Sequence, residues 1–292
     1  MNDIYNNNYI EQPKEYFKKS LDILNDFNSM IDIGCANGSY LNYINTIYSN
    51  KDLNGIDINN NTTKKNFNFI NENFLKNNNL KKYDLVTCFG VLSYHKNIQI
   101  FFDNLIKFMH RNSSLIIFDN INIIDFDFNI KYKNSDSLDN KFEDKYYSYW
   151  YSKKTFINLA NKYNMNVEFI PFNMPFNIQK MDDPSRAYTK NINNINKEFV
   201  YNDFPLNFHF IKFSYKPLML MFHHFHNSED IHYVNGSCST IDFENIIFKI
   251  GRENIINFDL WIEKYNNNTL KSEVCFTFDD GLNSQYKYAL PI

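Results

Sequence analysis

Residues 32–38 read Asp-Ile-Gly-Cys-Ala-Asn-Gly and lie at the end of the apolar run 30–33. The whole chain holds seven glycines. Two of them, Gly34 and Gly38, fall in this stretch, which marks a place where the backbone turns sharply or approaches a ligand closely. A short apolar strand that ends in such a turn and leads into a helix is typical of a parallel α/β sheet. The stretch therefore predicts a ligand-binding loop between a strand and a helix.

The flanking sequence alternates short apolar runs with helical patterns, which predicts the α/β class with helices on both faces of a parallel sheet. The predicted strands cover 30–33, 53–57, 67–70, 83–88, 115–119, 166–172 and 208–214, and the predicted helices cover 13–27, 39–48, 97–110 and 152–163. No proline separates Pro13 from Pro171, so this region should hold most of the regular structure. We expect the last two strands to close one edge of the sheet.

The composition limits the function classes. Lys and Arg number 30 against 33 Asp and Glu, for a net charge of -3, so we expect no nucleic-acid partner. The sequence shows neither an apolar run long enough to cross a bilayer nor an N-terminal signal core, which predicts a cytoplasmic protein. The spacing of Cys35, Cys88, Cys238 and Cys275 favours reduced thiols over a disulfide framework or a zinc ribbon.

Two classes of nucleotide-like ligand use a glycine turn after the first strand, and the neighbouring residues separate them. The nicotinamide fingerprint G-x-G-x-x-G is absent. Instead, Asp32 stands two residues before Gly34, which suits a ligand with a cationic amino-acid tail and no pyrophosphate. Asp57 ends the second predicted strand, where a carboxylate can accept both ribose hydroxyls of an adenosine. The pattern therefore favours a cationic adenosine ligand over a dinucleotide.

The series Asp32, Gly34, Ala36 and Gly38 resembles the acid-x-G-x-G-x-G motif of class I S-adenosylmethionine-dependent methyltransferases, with Ala36 in place of the middle glycine. We expect this alanine to exclude a positive φ at the middle position, at little cost to the function of the loop. The order of elements extends the resemblance over residues 1–216. It implies a Rossmann-like methyltransferase sheet and S-adenosylmethionine as cofactor, bound at these four residues and at Asp57.

Further segments fit the same family. Residues 71–74 read Asn-Glu-Asn-Phe where the family often has an acid and an aromatic residue near the adenine. Asn73 and Phe74 are therefore candidate adenine contacts, although an Asn at a strand end is at least as often a turn former. Residues 90–95 look like the segment beside the methyl group, which makes Gly90 a candidate cofactor contact. His95 is a candidate general base for the acceptor, and a solvated loop histidine is the alternative.

The C-terminal part carries a second motif. Residues 276–281 read Phe-Thr-Phe-Asp-Asp-Gly, and adjacent carboxylates on an apolar strand are costly unless they bind a metal or share a proton. The motif resembles the first motif of polysaccharide deacetylases, which implies Asp279 as general base and Asp280 as a ligand of a divalent metal such as zinc. The histidine motif that completes the metal site in that family is missing. We expect residues 217–292 to be a partial (β/α) deacetylase fragment without activity.

The two resemblances together predict methyl transfer to an oxygen or nitrogen of a small-molecule, sugar or glycan-precursor acceptor, in surface-carbohydrate biosynthesis. Two alternatives stay open. A nicotinamide-dependent oxidoreductase is opposed by the missing fingerprint, and a non-catalytic nucleoside-binding or scaffold module is opposed only weakly by the intact Asp32 and Asp57.

Overall fold

The computed structural model describes residues 14–59, 66–77, 81–131, 147–180, 188–191, 197–201, 204–227, 229–230 and 234–292. They divide into two compact units. The first runs to Met109 and continues through residues 114–163 and 167–213, and the second comprises residues 110–113, 164–166 and 214–292. The continuous part of the second unit thus begins close to the predicted boundary at residue 216.

A seven-stranded sheet forms the centre of the first unit. Its strands are β1 (Ser29–Ile33), β2 (Asp52–Asp57), β3 (Asn68–Asn71), β4 (Tyr83–Phe89), β5 (Met109–Asn120), β6 (Met165–Pro171) and β7 (Phe208–Tyr215). Their order is β3-β2-β1-β4-β5-β7-β6, and β1 to β5 pair in parallel. Parallel strands are covered on both faces, which explains why Met30, Ile31 and Ile33 are fully buried. The predicted α/β class is therefore confirmed.

In the part of the first unit that the structure describes there are four helices, namely α1 (Glu15–Ser20), α2 (Ser39–Ile47), α3 (Ile98–Leu105) and α4 (Lys153–Lys162). Short 3-10 turns cover Phe74–Lys76, Leu92–Tyr94 and Ile106–Phe108. The antiparallel pieces are Phe128–Lys131 with Tyr147–Trp150, and Lys197–Tyr201 between Tyr188–Asn191 and Phe204–Pro205. Helix α2 buries Tyr40, Leu41 and Ile44, because these positions share the face that packs on the sheet.

Two predicted helices are shorter than the apolar pattern suggested. The helix predicted over 13–27 covers only Glu15–Ser20, because tertiary hydrogen bonds compete for the backbone beyond it: Lys212 Nζ donates to Ile23 O and to Asn25 Oδ1, at 2.8 Å each. The helix predicted over 97–110 ends at Leu105, and Met109 instead pairs with Tyr83 as the first residue of β5. Packing and pairing override helical propensity at both ends.

The second unit contains a three-stranded parallel sheet of β8 (Leu218–Phe222), β9 (Ile255–Ile256) and β10 (Val274–Phe278), in the order β8-β10-β9. Helices α5 (Thr240–Ile250) and α6 (Phe258–Asn266), a 3-10 turn (Arg252–Asn254), a π turn (Gln285–Ala289) and the parallel pair Phe225–His226 with Cys238–Ser239 complete it. Phe225 and Phe243 form its buried core with Ala289. None of the helices in the described part of the chain has the length and apolar character to cross a membrane.

An aromatic core supports the carboxyl ends of β4 and β5. The ring of Phe210 is fully buried, and its centroid lies 4.6 Å from that of Phe118 and 5.9 Å from that of Phe89. Phe118 also stacks on Tyr16, with centroids 4.5 Å apart. Residues far apart in sequence therefore share one apolar contact surface.

We expect Phe210→Ala to lower the free energy of unfolding by about 3–5 kcal/mol, because it removes a fully buried ring and leaves a cavity. Urea denaturation followed by circular dichroism measures the change. The matched control is Phe126→Ala in the same unit, where the side chain is 68% exposed and the expected change is within about 0.5 kcal/mol. Equal effects of the two variants would contradict the assignment of Phe210 to the core.

Candidate functional site

A cavity of about 820 Å³ opens at the carboxyl ends of β1, β2 and β4. The strand order reverses at β1, which has β2 on one side and β4 on the other, and parallel sheets bind ligands at such a switch point. The lining includes most of the residues that the sequence singled out in this part of the chain: Asp32, Gly34, Ala36, Asp57, Asn73, Phe74, Gly90 and His95. Gly38 is not among the lining residues.

The loop after β1 is held against β2 by backbone bonds. The amides of Gly34 and Cys35 both donate to Ile56 O, at 2.8 and 3.2 Å. Gly34 has φ +72°, and a Cβ built on it would lie 2.4 Å from Val91 Cγ2. Only glycine allows both this conformation and this close approach.

The middle-glycine position of the motif departs from expectation, because Ala36 adopts φ +50°.

 This corrects the expectation that alanine removes the positive-φ option. A left-handed alanine costs about 1–2 kcal/mol, so the surroundings must hold it in place. The Ala36 amide donates to Asp57 Oδ2 at 2.8 Å, which supplies that restraint.

Asp32 is a buried carboxyl group at the end of β1, with 4% of its surface exposed. Thr87 Oγ1 donates a hydrogen bond of 2.6 Å to its Oδ1. Burial raises the pKa of Asp32 to about 7; the Thr87 bond works against this shift, and the nearby Asp57 carboxylate adds to it. A group in this state is stabilised in its ionised form by a cation, so the site suits a positively charged ligand.

Asp57 reaches the same cavity from the end of β2. Its Oδ2 accepts from the Ala36 amide, and its Oδ1 accepts from the Asn59 amide at 2.8 Å. A carboxylate oxygen can accept more than one hydrogen bond, so both oxygens keep capacity for ligand hydroxyls. Asp57 therefore fixes the loop and faces the ligand space at once.

Gly38 has a role in the backbone rather than in the lining. It precedes α2 with φ +78°, and a Cβ there would lie 2.1 Å from Phe67 Cζ. The glycine is thus required by its left-handed conformation and by the Phe67 ring that covers it. Its predicted contact with a cofactor stays a prediction.

Asn73 and Phe74 follow β3 at the cavity wall. Asn73 Oδ1 accepts from the Leu75 amide at 3.0 Å, so it caps the short 3-10 turn as the turn-former alternative expects. Phe74 is buried, and its ring meets the rings of His95 and Phe101 edge-on. Both residues therefore belong to the cavity wall.

His95 also lines the cavity, next to Phe74 and after the 3-10 turn Leu92–Tyr94. Burial lowers its pKa, so the imidazole is neutral near pH 7 and able to accept a proton. Two residues outside the cavity hold this segment: Tyr151 Oη donates to His95 O at 2.5 Å, and the Ser93 amide donates to Asp119 Oδ2 at 3.1 Å. Burial raises the pKa of Asp119 to about 6.

Sequence reasoning missed several lining residues, including Lys14, Tyr16, Tyr40, Glu72 and Tyr94. Glu72 had a usable signal, because it is the acid of the segment 71–74. Lys14 and Tyr16 had none, since they reach the cavity only through the packing of α1. The aromatic core at Phe118 brings Tyr16 there.

The Asp279-Asp280 pair lies just beyond β10 in the second unit. His223 Nδ1 lies 3.4 Å from Asp280 Oδ2, and both side chains are about half exposed. Within the described ranges, no group of three or more His, Cys, Asp or Glu side chains could hold a metal ion. The assignments of Asp279 as a base and Asp280 as a metal ligand stay predictions.

Comparison with known proteins gives one family match. A family model described as a methyltransferase domain matches residues 5–168, more than half of the 292-residue chain. The match does not extend to residues 217–292. No curated protein sequence matches the chain.

Solved structures with a similar fold share little sequence. Coclaurine N-methyltransferase, bound to N-methylheliamine and S-adenosylhomocysteine, is 12% identical with a TM-score of 0.44; the match covers 54% of this chain and 50% of that one. The N-methyltransferase NodS from Bradyrhizobium japonicum, also with S-adenosylhomocysteine, is 12% identical with a TM-score of 0.41 over 68% and 85% of the two chains. An S-adenosylmethionine-dependent methyltransferase from Clostridium acetobutylicum is 12% identical with a TM-score of 0.41, and the match covers 68% of this chain and 89% of that one. The chain thus spans about half the length of coclaurine N-methyltransferase.

We expect Gly38→Ala to destabilise the protein for two separable reasons. The left-handed backbone adds about 1–2 kcal/mol, and the clash with Phe67 adds to it. Urea denaturation of Gly38→Ala, Phe67→Ala and the double variant measures both parts, because the clash disappears once the ring is removed. The same cost of Gly38→Ala in both backgrounds would contradict the contact.

We expect Asp32 to make the protein less stable as pH rises from about 4 to about 7. In this window the folded state keeps a proton on Asp32 that the unfolded chain releases, since the pKa is 3.8 in the reference state and about 7 when folded. The contribution is on the order of 1 kcal/mol per pH unit. Asp32→Asn keeps an acceptor for Thr87 and should flatten this dependence in denaturation curves between pH 5 and 8. A variant whose stability falls as steeply as that of the wild type would contradict the raised pKa.

Proposed function

The chain belongs to the methyltransferase-domain family, and on this basis we propose that it transfers a methyl group from S-adenosylmethionine to an oxygen or nitrogen atom of a small-molecule acceptor. The observation that carries the proposal is the buried Asp32 carboxyl group at the rim of a glycine-lined cavity. Such a group favours a cationic ligand, and the cofactor carries positive charge on its sulfonium and ammonium groups.

The residues around the cavity fit this cofactor. Asp32 would bind the ammonium group, and Asp57 would accept the ribose hydroxyls with the capacity that its backbone bonds leave. Phe74 and Asn73 would flank the adenine. Gly90 has φ +71° and no heavy atom within 4 Å of a built Cβ, so the chain leaves open space there. When bound, the cofactor supplies an electrophilic methyl group.

His95 is the proposed general base. Its lowered pKa keeps the imidazole neutral at pH 7, and a neutral imidazole can take the proton of an acceptor hydroxyl or ammonium group. The hydrogen bonds of Tyr151 to His95 O and of the Ser93 amide to Asp119 hold the segment that carries it. The chain's main contribution to the reaction is then to orient the acceptor and exclude water.

The finer parts of the proposal rest on sequence resemblance. A sugar or glycan-precursor acceptor and a role in surface-carbohydrate biosynthesis follow only from the deacetylase-like motif at 276–281. The parallel β8-β10-β9 sheet with Asp279 and Asp280 beyond β10 is compatible with an inactive deacetylase fragment. Release of acetate from an acetylated glucosamine oligomer in the presence of zinc would contradict that inactivity.

We expect the protein to bind S-adenosylhomocysteine in a calorimeter, and we expect Asp57→Ala to weaken this binding by about 1–3 kcal/mol through the loss of charged hydrogen bonds. The control is Asp125→Ala, which removes an exposed carboxylate paired with Lys154 and lies outside the cavity lining. Its affinity should equal that of the wild type.

The same titration separates the alternatives. Binding of a nicotinamide cofactor without binding of S-adenosylhomocysteine would support an oxidoreductase and overturn the proposal. Tight binding of S-adenosylhomocysteine, with no methyl transfer from S-adenosylmethionine to any member of a panel of hydroxyl and amine acceptors, would favour a non-catalytic binding module. Unchanged affinity of Asp57→Ala would remove Asp57 from the site.

A further inference from the structure

The charges around the cavity are unevenly distributed. Among its described lining residues, three are acidic, Asp32, Asp57 and Glu72, and Lys14 is the single Lys or Arg. A ligand carboxylate in this cavity is repelled by the three acidic groups and attracted to the lysine. Lys14 is therefore the described lysine or arginine of the lining with which a ligand carboxylate can pair.

Packing of α1 fixes Lys14, the residue that precedes the helix, over the cavity. Phe17 is buried against the Tyr40 ring, with centroids 5.0 Å apart, and the hydroxyls of Ser20 and Tyr40 lie 2.9 Å apart in a buried hydrogen bond. Tyr40 belongs to the first turn of α2, which starts at the glycine loop. The segment that follows Lys14 is thus packed on the helix that starts at the glycine loop, directly after the strand that carries Asp32.

Tyr16 gives Lys14 a polar neighbour. The Tyr16 ring stacks on Phe118 with centroids 4.5 Å apart and an interplanar angle of 12°, and Lys14 Nζ donates to its hydroxyl at 3.3 Å. Both residues line the cavity. Desolvation lowers the pKa of Lys14, while the residue as a whole keeps an exposed surface at which a ligand can reach it.

We propose that Lys14, with the Tyr16 hydroxyl beside it, binds the carboxylate of the cofactor's amino-acid end while Asp32 binds its ammonium group. The inference rests on the proposed function and adds to it a residue that selects ligands with a zwitterionic tail. An ammonium–carboxylate hydrogen bond is stronger than a neutral one, so Lys14 contributes directly to affinity.

The test compares two probes that differ only in the tail. S-adenosylhomocysteine carries the amino-acid group, and 5′-methylthioadenosine has the same nucleoside thioether without it. In the full chain, Lys14→Met keeps the apolar stem and removes the charge. We expect it to weaken binding of S-adenosylhomocysteine roughly tenfold and to leave 5′-methylthioadenosine unchanged.

Two further variants make the result specific. Lys14→Arg keeps the charge and should bind S-adenosylhomocysteine within a few-fold of the wild type. Lys19→Met removes an exposed lysine of α1 that pairs with Asp22 and does not line the cavity, and it should behave as the wild type.

The outcomes separate a failure of the Lys14 inference from a failure of the proposed function. If Lys14→Met binds S-adenosylhomocysteine as tightly as the wild type, the inference is wrong while the proposed function stands. If Lys14→Met loses both probes equally, Lys14 supports the shape of the cavity and does not bind the tail, so the inference is again wrong. If the wild type binds neither probe, the proposed function itself fails.

Discussion

A carboxyl group buried at the end of β1, inside the seven-stranded sheet, constrains the whole site. Asp32 lies between two neighbouring parallel strands, accepts a hydrogen bond from Thr87 and is exposed over only 4% of its surface. Placing a charge there is unfavourable without a partner, because low-polarity surroundings disfavour the ionised form. This carboxyl group lies where the strand order reverses, and there a bound ligand can compensate the cost of its charge.

The loop beside this carboxyl group is ordered mainly by its backbone. Ile56 O accepts from two successive amides, and Asp57 Oδ2 accepts from the left-handed Ala36. The strain of Ala36 is therefore offset by a charged hydrogen bond from the next strand. The same Asp57 faces the cavity, so the group that stabilises the loop also lies within reach of a ligand.

Local pattern predicted the sheet well because buried parallel strands are short, apolar and separated by helices. It also placed Asp32, Asp57 and His95 near one edge, since the carboxyl ends of parallel strands meet there. It failed where distant residues decide the structure. The bonds of Lys212 end α1 early, pairing with Tyr83 turns Met109 into a strand residue, and the packing of Tyr16 on Phe118 brings Lys14 to the cavity.

The contact between Gly38 and Phe67 has a mechanical consequence. The Phe67 ring occupies the space that a side chain at position 38 would fill, so the start of α2 and the residue before β3 interlock. A side chain at position 38 would have to displace this ring, so the two positions constrain each other's residue types. A larger residue at the start of α2 is therefore compatible with this fold only together with a smaller one before β3.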